Sequence, residues 1–243
     1  MMNEKLLVFG GSGQAKDVLA TARLLGYETF QLVTRDGKDA IAGLGAIAEN
    51  DFDPTGYCDW DCIVAIGNNE HRRKFHHNFP RLNFVSIIAP TAQISPGASI
   101  ARGSFIGAFA YIGPDAQLGE ACIVNTHSIV GHDGKLGDFS QIGPRACLCG
   151  HVEIGRHVFV GAGAVINNGS PEKPLVIADD VAVAVDVTLP VGVAIAVDVA
   201  VAIDVVVDLR KKVYLGFPPS TGSQRPPQQT KHKKHKKRVG EMY

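Results

Sequence analysis

A six-residue repeat of branched aliphatic side chains runs through the middle of this 243-residue chain. An α-helix repeats every 3.6 residues and an isolated strand every two, so neither explains this period. A period of six predicts a hexapeptide β-helix, in which each hexapeptide forms one side of a triangular prism and neighbouring coils bury a shared core. The repeat positions are Ile88, Ile94, Ile100, Ile106, Ile112, Leu118, Val124, Val130, Leu136, Ile142, Leu148, Ile154, Val160 and Ile166.

Small residues accompany the aliphatic positions. Glycine often follows the aliphatic residue directly, as at Gly107 and Gly113, and a small residue such as Ala110 or Ala116 lies four positions after it. These residues suit the corners of a prism, where a positive φ or a close approach of two backbones is required.

The residues before the repeat predict a small parallel α/β domain of Rossmann-like type. Lys5–Phe9 predicts a buried strand, which leads through Gly10, Gly11, Ser12 and Gly13 into a helix over 14–25. Such a turn lets backbone amides approach a phosphate at the helix N-terminus. A tight turn without a ligand is the alternative, because Lys16 stands where a GxGxxG motif has its third glycine. The other predicted elements are strands at 29–33, 61–66 and 83–87 and a helix at 70–78.

Polar residues follow the predicted strands at the edge where α/β sheets bind ligands. Asp36 could accept hydrogen bonds from a ribose or a base, Gly67, Asn68 and Asn69 follow the third strand, and Arg72 could contact a phosphate. Asp36 could equally be a solvated loop residue, and exposed helix arginines usually have no specific partner. The predicted substrate-binding residues are Gly10, Gly11, Ser12, Gly13, Asp36, Gly67, Asn68, Asn69 and Arg72.

His132 and Asp133 are the candidate catalytic residues. The repeat is satisfied by Val124, Val130 and Leu136, so His132 is not needed to build the core. A histidine with a nearby carboxylate can act as a general base, since imidazoles titrate near neutral pH and the carboxylate selects the tautomer. Because adjacent residues in a strand point to opposite faces, the partnership of His132 with Asp133 stays open, and a plain surface histidine is the alternative.

Several motifs together resemble the sugar O-/N-acyltransferase family, which includes sialic acid O-acetyltransferases and nucleotide-amino-sugar N-acetyltransferases. The resemblance covers about residues 4–170 and includes the hexapeptides. The motifs are Gly-Gly-Ser-Gly at 10–13, Ala-Ile-Gly-Asn-Asn-Glu at 65–70, Gly-His-Asp at 131–133, Gly-Asp-Phe-Ser-Gln-Ile-Gly-Pro-Arg-Ala at 137–146 and Val-Phe-Val-Gly-Ala-Gly-Ala-Val-Ile at 158–166.

The resemblance implies a left-handed parallel β-helix that assembles as a homotrimer and uses acetyl-CoA. The N-terminal domain would hold a nucleotide-linked amino sugar, and His132 would take a proton from the sugar amine as it attacks the thioester. Backbone amides near Gly143 and Gly150 would face the thioester, and Gly161 and Ala162 would allow the pantetheine arm close approach. By the same resemblance Gln141 lies near the acetyl group, and no metal is expected.

Two departures from the family motivate alternatives. Gln141 stands where many members have a second histidine, and the coils after residue 177 have alanine where glycine is usual. A non-catalytic trimeric homologue with impaired CoA binding is therefore one alternative, and a sialic acid O-acetyltransferase is another. A γ-class carbonic anhydrase would pair His127 with His132, but it needs a third histidine from about two coils earlier, and residues 78–126 contain none.

Composition sets the remaining expectations. Residues 1–208 carry a net charge of −9 and residues 209–243 one of +9, which predicts an acidic body and a basic, disordered tail. Such a basic tail could bind nucleic acid or anionic lipid by charge alone, and a solvated tail that touches the acidic body is the favoured interpretation. No aromatic residues lie among the lysines, so base stacking is not supported and nucleic acid is not an expected partner. Five cysteines and no leader-like segment favour the cytoplasm, and aspartates interrupt the valine-rich residues 181–207, which excludes a membrane span there. The predicted domains are 1–87, 88–207 and the tail at 208–243.

Overall fold

A computed structural model describes residues 3–38, 41, 43–183 and 188–189, the last two as backbone only. The predicted basic tail and the coils beyond residue 189 lie outside the described residues, so the expectations made for them stay predictions. Neither α-helix in the described part of the chain combines the length and apolarity needed to cross a bilayer.

The N-terminal residues form a five-stranded parallel sheet with strand order β3-β2-β1-β4-β5. Two predicted strands are longer than observed, since the strand predicted over 61–66 ends at Val64 and the one predicted over 83–87 ends at Phe84. Strand β3 is an edge strand that the sequence analysis missed. The strands are β1 (Lys5–Phe9), β2 (Thr29–Thr34), β3 (Ala46–Ala48), β4 (Asp61–Val64) and β5 (Asn83–Phe84). The helices are α1 (Gly13–Leu24) and α2 (Asn69–Asn78), with 3₁₀ turns at Glu49–Asp51 and Pro54–Tyr57.

Alternation along β1 builds two cores, one on each side of this sheet. Leu6 and Val8 pack with the apolar face of α1, including Val18 and Leu19. Leu7 and Phe9 point the other way, into a cluster where the Phe9 ring lies 5.2 Å from that of Phe52 and 4.8 Å from that of Phe75. The sheet is therefore covered on both faces, as all-parallel sheets require.

The repeat folds as predicted, into a left-handed β-helix whose three faces are parallel sheets. Partners in each sheet are one coil apart, as in Tyr111↔Ile129 and Ile129↔Cys147. The first face contains β6 (Ile87–Ile88), β9 (Phe105–Ile106), β12 (Ile123–Val124), β15 (Gln141–Ile142), β18 (Phe159–Val160) and β21 (Ala182–Val183). The second face contains β7 (Gln93–Ile94), β10 (Tyr111–Ile112), β13 (Ile129–Val130), β16 (Cys147–Leu148), β19 (Val165–Ile166) and β22 (Thr188–Leu189). The third face contains β8 (Ser99–Ile100), β11 (Gln117–Leu118), β14 (Lys135–Leu136), β17 (Val152–Ile154) and β20 (Leu175–Ile177).

From Ile106 to Ile166 the repeat aliphatics fill the interior of the prism, whereas Ile94 in the first coil is 36% exposed. Ile106, Ile142 and Ile166 are fully buried. The small residues four positions later, such as Ala110 and Ala146, are buried in the same core, since a larger side chain there would collide with the next coil.

The corners have a backbone that the sequence did not predict. Positive φ values of 51° to 59° recur at every sixth residue from 109 to 157, and none of these residues is glycine. The glycines directly after the aliphatics serve close approach instead, because a Cβ added to Gly113 would lie 2.6 Å from the main-chain nitrogen of His132. The left-handed corner residues are Phe109, Asp115, Ala121, His127, Asp133, Phe139, Arg145, His151 and His157.

A five-residue insertion interrupts the coils after Ile166, and it is visible in the sequence as the eleven residues from Ile166 to the next aliphatic repeat position, Ile177. The next strand pairs Ile154 with Ile177, which are 23 residues apart, and Ser170 and Lys173 close the inserted loop through main-chain hydrogen bonds of 3.0 and 3.1 Å. The period then resumes, because Val160 pairs with Val183 and Ile166 with Leu189.

Candidate active site

His132 and Asp133 meet at the corner between the second and third faces, where β13 leads into β14. The Nδ1 atom of His132 lies 2.8 Å from Oδ2 of Asp133. Neighbouring residues can point the same way here because Asp133 has a left-handed backbone with φ of 56° and does not belong to a strand. The partnership that a strand would have prevented is therefore formed at a corner.

This contact sets the protonation of the pair. The hydrogen bond from His132 holds the pKa of the Asp133 carboxyl below its usual range, and the nearby His151 lowers it further. An ionised Asp133 accepts the Nδ1 proton, so the lone pair of the neutral His132 ring is on Nε2. That nitrogen is the one available to take a proton from a substrate.

Gly150 lies directly against the His132 ring. A Cβ added at Gly150 would collide with the Nε2 and Cε1 atoms of His132. Any side chain at this position would displace the imidazole, so the structure gives Gly150 a steric role beside its predicted role in binding the cofactor.

His151 is the residue that the sequence analysis missed. Its Nε2 atom is 3.7 Å from Oδ2 of Asp133, and its ring is perpendicular to the His132 ring at 5.0 Å between centroids. His151 follows Asp133 by 18 residues, which is one coil, so both occupy the same corner. The sequence signal that could have found His151 is the length of the coil, because residues 18 positions apart are stacked at the same corner.

The other predicted cofactor residues lie elsewhere on the prism. Gly143, Gly161 and Ala162 stack at the corner between the first and second faces, where a Cβ on Gly143 would be 2.7 Å from the nitrogen of Ala162. Gln141 is buried on the first face, and its Oε1 atom has no hydrogen-bond partner among the described residues. In a triangular prism the first face is opposite the corner that carries His132.

The glycine-rich turn lies at the carboxyl edge of the α/β sheet. A Cβ on Gly10 would be 2.7 Å from the carbonyl oxygen of Ala65, so the turn lies against the end of β4. Ser12 is the N-cap residue of α1, and its hydroxyl makes no capping hydrogen bond. Gly11 and Gly13 flank Ser12. The glycine-rich turn and the segment that follows β4 therefore lie together at the carboxyl edge of the sheet, as expected for an α/β domain.

Asp36 and Asn68 have local partners. The Asp36 carboxylate accepts from the backbone nitrogen of Lys38 at 3.3 Å and pairs with its ammonium at 3.1 Å. These contacts lower the pKa of Asp36. Asn68 caps α2 by accepting a hydrogen bond from the nitrogen of His71 at 2.9 Å, which leaves its amide nitrogen for other partners.

Arg72 does not fit the predicted phosphate contact. It is completely buried, and its guanidinium donates to the main-chain oxygens of Ala121 at 2.8 Å, Ile66 at 2.9 Å and Phe139 at 2.6 Å. The prediction was wrong because it assumed an exposed helix, whereas the prism covers this side of α2. Burial lowers the pKa of Arg72 to about 10.

Asn69 belongs to the same contact between the sheet and the prism. Its Nδ2 atom donates to the carbonyl oxygens of His157 at 2.8 Å and Val158 at 3.1 Å, and its Oδ1 accepts from Arg72 at 2.9 Å. Asn69 therefore fixes the Gly67 loop on the prism, where a Cβ on Gly67 would lie 3.8 Å from Oε1 of Gln141.

A cavity of about 330 Å³ opens beside β2 and α2 at the edge of the α/β sheet. Arg35, His71 and Lys74 give it three basic side chains that the sequence analysis did not single out, against one carboxylate from Glu49. Asn50 and Phe52 add a polar and an aromatic wall. Positive charge beside an aromatic ring suits a nucleotide.

Comparisons with known proteins agree with this architecture. Residues 5–79 match the model of the PglD N-terminal domain, and residues 133–168 match the bacterial transferase hexapeptide model of six repeats. A GDP-perosamine N-acetyltransferase of Escherichia coli O157:H7 is 26% identical over 139 residues. That match covers 56% of this chain and 63% of the relative's length.

Solved structures are similar over most of their length. The acetyltransferase domain of PglB from Neisseria gonorrhoeae is 30% identical, with a TM-score of 0.66 over 78% of this chain and 92% of that one. PerB from Caulobacter crescentus, solved in complex with CoA and GDP-perosamine, is 26% identical with a TM-score of 0.70 over 79% and 92% of the two chains.

The α/β sheet followed by the prism, with a histidine–aspartate pair at one corner, defines a hexapeptide-repeat transferase. Within that class, the chain belongs to the PglD-like family of sugar acyltransferases.

Proposed function

We propose that this protein transfers an acetyl group from acetyl-CoA to the amino group of a nucleotide-linked amino sugar. The observation that carries the proposal is the 2.8 Å contact between His132 Nδ1 and Asp133 Oδ2, which leaves Nε2 as a base at an exposed corner. The family relationship supports the same chemistry, since the relatives named above are sugar acetyltransferases.

His132 acts as the general base in this proposal. As the sugar nitrogen attacks the thioester carbonyl, a proton passes from that nitrogen to Nε2 of His132. When the tetrahedral intermediate collapses, the carbon–sulfur bond breaks and the proton passes from Nε2 of His132 to the sulfur of CoA. Asp133 stabilises the imidazolium through the Nδ1 hydrogen bond, so one base and good positioning are sufficient.

The α/β sheet binds the nucleotide part of the substrate. Backbone amides of Gly11, Ser12 and Gly13 at the start of α1 suit a diphosphate. The basic cavity lined by Arg35 and Lys74 is on the same edge of the sheet and suits further phosphate or base contacts. That PerB was solved with GDP-perosamine supports a nucleotide sugar as the ligand class.

The site requires a second copy of the chain. The Gly67 loop lies over Gln141 on the first face, whereas His132 lies at the opposite corner of the same prism. A sugar nucleotide bound to the α/β sheet is therefore directed toward the histidine of a neighbouring protomer.

The second face of the prism is the surface on which we propose that the trimer forms. Its outward row includes Tyr111, Ile129, Cys147 and Val165, and the Ile129 residue is 39% exposed. The third face shows Ser99, Gln117 and the ion pair of Lys135 with Glu153 at 2.7 Å before an exposed Val176 near its end. The α/β sheet covers Phe105 and Ile123 of the first face, whose later residue Phe159 is 40% exposed. An apolar row between two polar or covered faces favours self-association.

Acetyl-CoA lies between neighbouring prisms in this arrangement. Gly143, Gly161 and Ala162 form one edge of the second face and Gly150 the other, so both edges border the proposed interface. Gln141, with its unpartnered Oε1, supplies a polar group near the first of these edges. Five free cysteines and the use of acetyl-CoA favour the cytoplasm.

The test is release of the CoA thiol when the purified protein is given acetyl-CoA and either GDP- or UDP-linked amino sugars. We expect turnover with one of these and a loss of about 10²- to 10⁴-fold in kcat for His132→Ala. Free sialic acid, tested in parallel, separates O-acetylation from N-acetylation.

His157→Asn is the matched control, because His157 lies at the corner between the third and first faces, where its Nδ1 is 3.1 Å from Oδ1 of Asp180. Asparagine tolerates the left-handed backbone at that position. Turnover that survives His132→Ala, or no turnover with any amino sugar, would overturn the proposal, and the second outcome would favour the non-catalytic homologue.

A further inference from the structure

The His132, Asp133 and His151 side chains form a donor set that the acetyl transfer does not use in full. Nδ1 of His132 is 2.8 Å and Nε2 of His151 is 3.7 Å from Oδ2 of Asp133. One ligand atom from each of the three residues lies within 4.8 Å of the others, and no other such group of three occurs among the described residues.

This donor set fits a divalent transition metal ion. Zn²⁺ binds imidazole nitrogen and carboxylate oxygen at about 2.0–2.2 Å, so its tetrahedral ligands are about 3.3–3.5 Å apart. The distances from Oδ2 of Asp133 to Nδ1 of His132 (2.8 Å) and to Nε2 of His151 (3.7 Å) lie below and above that ligand separation. Shifts of a few tenths of an ångström would therefore bring both histidine nitrogens to the separation that a tetrahedral ion requires. Two imidazoles and one carboxylate leave a fourth position for water.

The backbone holds the three residues in place before any ligand arrives. The nitrogen of His151 donates to the carbonyl oxygen of His132 at 3.1 Å, and the nitrogen of Asp133 donates to that of Pro114 at 3.0 Å. These bonds link successive corners of a rigid coil. A preorganised site loses little conformational entropy when it binds an ion.

The charge and exposure of the cluster also suit a cation. In the described part of the chain, Asp133 forms its ion pairs with the two histidines, so no lysine or arginine competes for its carboxylate. The side chains of His132 and Asp133 are 52% and 46% exposed, which lets an ion and its waters enter.

We propose that His132, Asp133 and His151 bind Zn²⁺ or a similar transition metal ion, and that this ion inhibits the enzyme. The inhibition rests on the proposed function. An ion bound to Nδ1 of His132 places the single proton of the neutral ring on Nε2, which then cannot accept a proton from the sugar amine. The metal is therefore a reversible inhibitor and not a cofactor.

Binding is tested without substrates, by isothermal titration of ZnCl₂ into the full-length protein. A Cys147→Ser, Cys149→Ser background removes a neighbouring thiol pair, with sulfur atoms 4.0 Å apart, as another zinc ligand. We expect one Zn²⁺ per chain and affinity weakened about 100-fold by His151→Asn, because one of three protein ligands is lost.

His157→Asn is the control for the binding measurement. His157 also has a left-handed backbone, with φ of 57°, and also lies beside a carboxylate, 3.1 Å from Asp180, but it is outside the cluster. Absence of zinc binding, or binding that His151→Asn leaves unchanged, would overturn the metal site.

Inhibition is measured, separately for each variant, as the rate of acetyl transfer at a zinc concentration of about ten times the wild-type Kd divided by the rate with EDTA. We expect this ratio to be about one tenth or less in the wild-type sequence and near one in His151→Asn. A protein that binds zinc at this cluster yet keeps its full rate would overturn the inhibitory role. A protein without transferase activity would refute the proposed function, and with it the inhibition, while the titration still decides the metal site.

Discussion

The Nε atom of Arg72 donates a hydrogen bond of 2.8 Å to the main-chain oxygen of Ala121, across the contact between the α/β sheet and the prism. The same guanidinium reaches Phe139 at 2.6 Å, so one side chain joins α2 to two successive coils. Its role is to hold the two layers together.

Replacing Arg72 should destabilise the protein rather than merely weaken ligand binding. In Arg72→Leu the carbonyl oxygens of Ala121, Ile66 and Phe139 lose their donor while they remain buried, which costs about 3 kcal/mol or more. Urea unfolding followed by circular dichroism measures the loss. The neighbouring Arg73 is exposed and pairs with Glu70 at 2.7 Å, so Arg73→Ala should cost less than about 1 kcal/mol. Equal, small effects of both substitutions would contradict this account.

Gly113 supports the His132 corner from one coil below. An alanine Cβ at this position would lie 2.6 Å from the His132 nitrogen, so Gly113→Ala should cost about 2 kcal/mol and lower kcat. Gly119→Ala creates a similar collision, 2.8 Å from the nitrogen of Asp138, at the corner between the third and first faces, which holds no proposed catalytic or cofactor-binding residue. Thermal unfolding should show similar destabilisation in both variants, with kcat reduced only in Gly113→Ala. A reduced kcat in both would mean that the effect is general.

Ile129 should be important for assembly. In Ile129→Lys a charge enters the apolar row of the second face, so sedimentation velocity should show a shift from trimer to monomer. Gln117→Lys places the same charge on the third face and should leave the trimer intact. Because the proposed site uses two protomers, Ile129→Lys should also lose acetyl transfer. A trimer that persists in Ile129→Lys would exclude the second face as the interface.

His76 should make the protein sensitive to acid. Burial, together with the charges of Arg102 and Arg72, lowers the pKa of His76 from 6.5 to about 4. Between these pH values the unfolded chain binds a proton that the folded chain does not, so stability falls as the pH drops through this window, by about 3 kcal/mol in total. His76→Leu should remove this dependence in urea titrations at pH 7, 5.5 and 4.5, whereas the exposed His77→Leu should keep it. An unchanged slope in His76→Leu would assign the acid sensitivity to other groups.

Much of the fold could be predicted because its signals are local and repeated. The period of six corresponds to one side of the prism for each hexapeptide. The insertion after Ile166 appears in the sequence as a shift of five residues in that period. The edge strand β3 escaped prediction because Ala46–Ala48 is only three residues long and has no alternating pattern. The left-handed corners escaped too, since residues as different as Phe109, Arg145 and His151 adopt the same φ.

The candidate site could be predicted only in part. His132 was recognisable because the repeat did not need it, but its contact with Asp133 depends on a corner backbone that a strand model excludes. His151 stands 18 residues from Asp133, and nothing in its neighbours along the chain marks it. Arg72 looked like an exposed helix residue until the prism was packed against α2.

The prism could be predicted without coordinates, because each coil depends on the spacing of aliphatic residues that bury one another, and that spacing can be read along the chain. The convergence of side chains depended on the three-dimensional winding of the coils, which brings together residues one full turn apart. The same winding separates His132 from Gln141, although the two are close in sequence. Packing of the α/β sheet on the first face then decided that Arg72 is buried, since desolvation depends on what covers a residue and not on its neighbours in the chain.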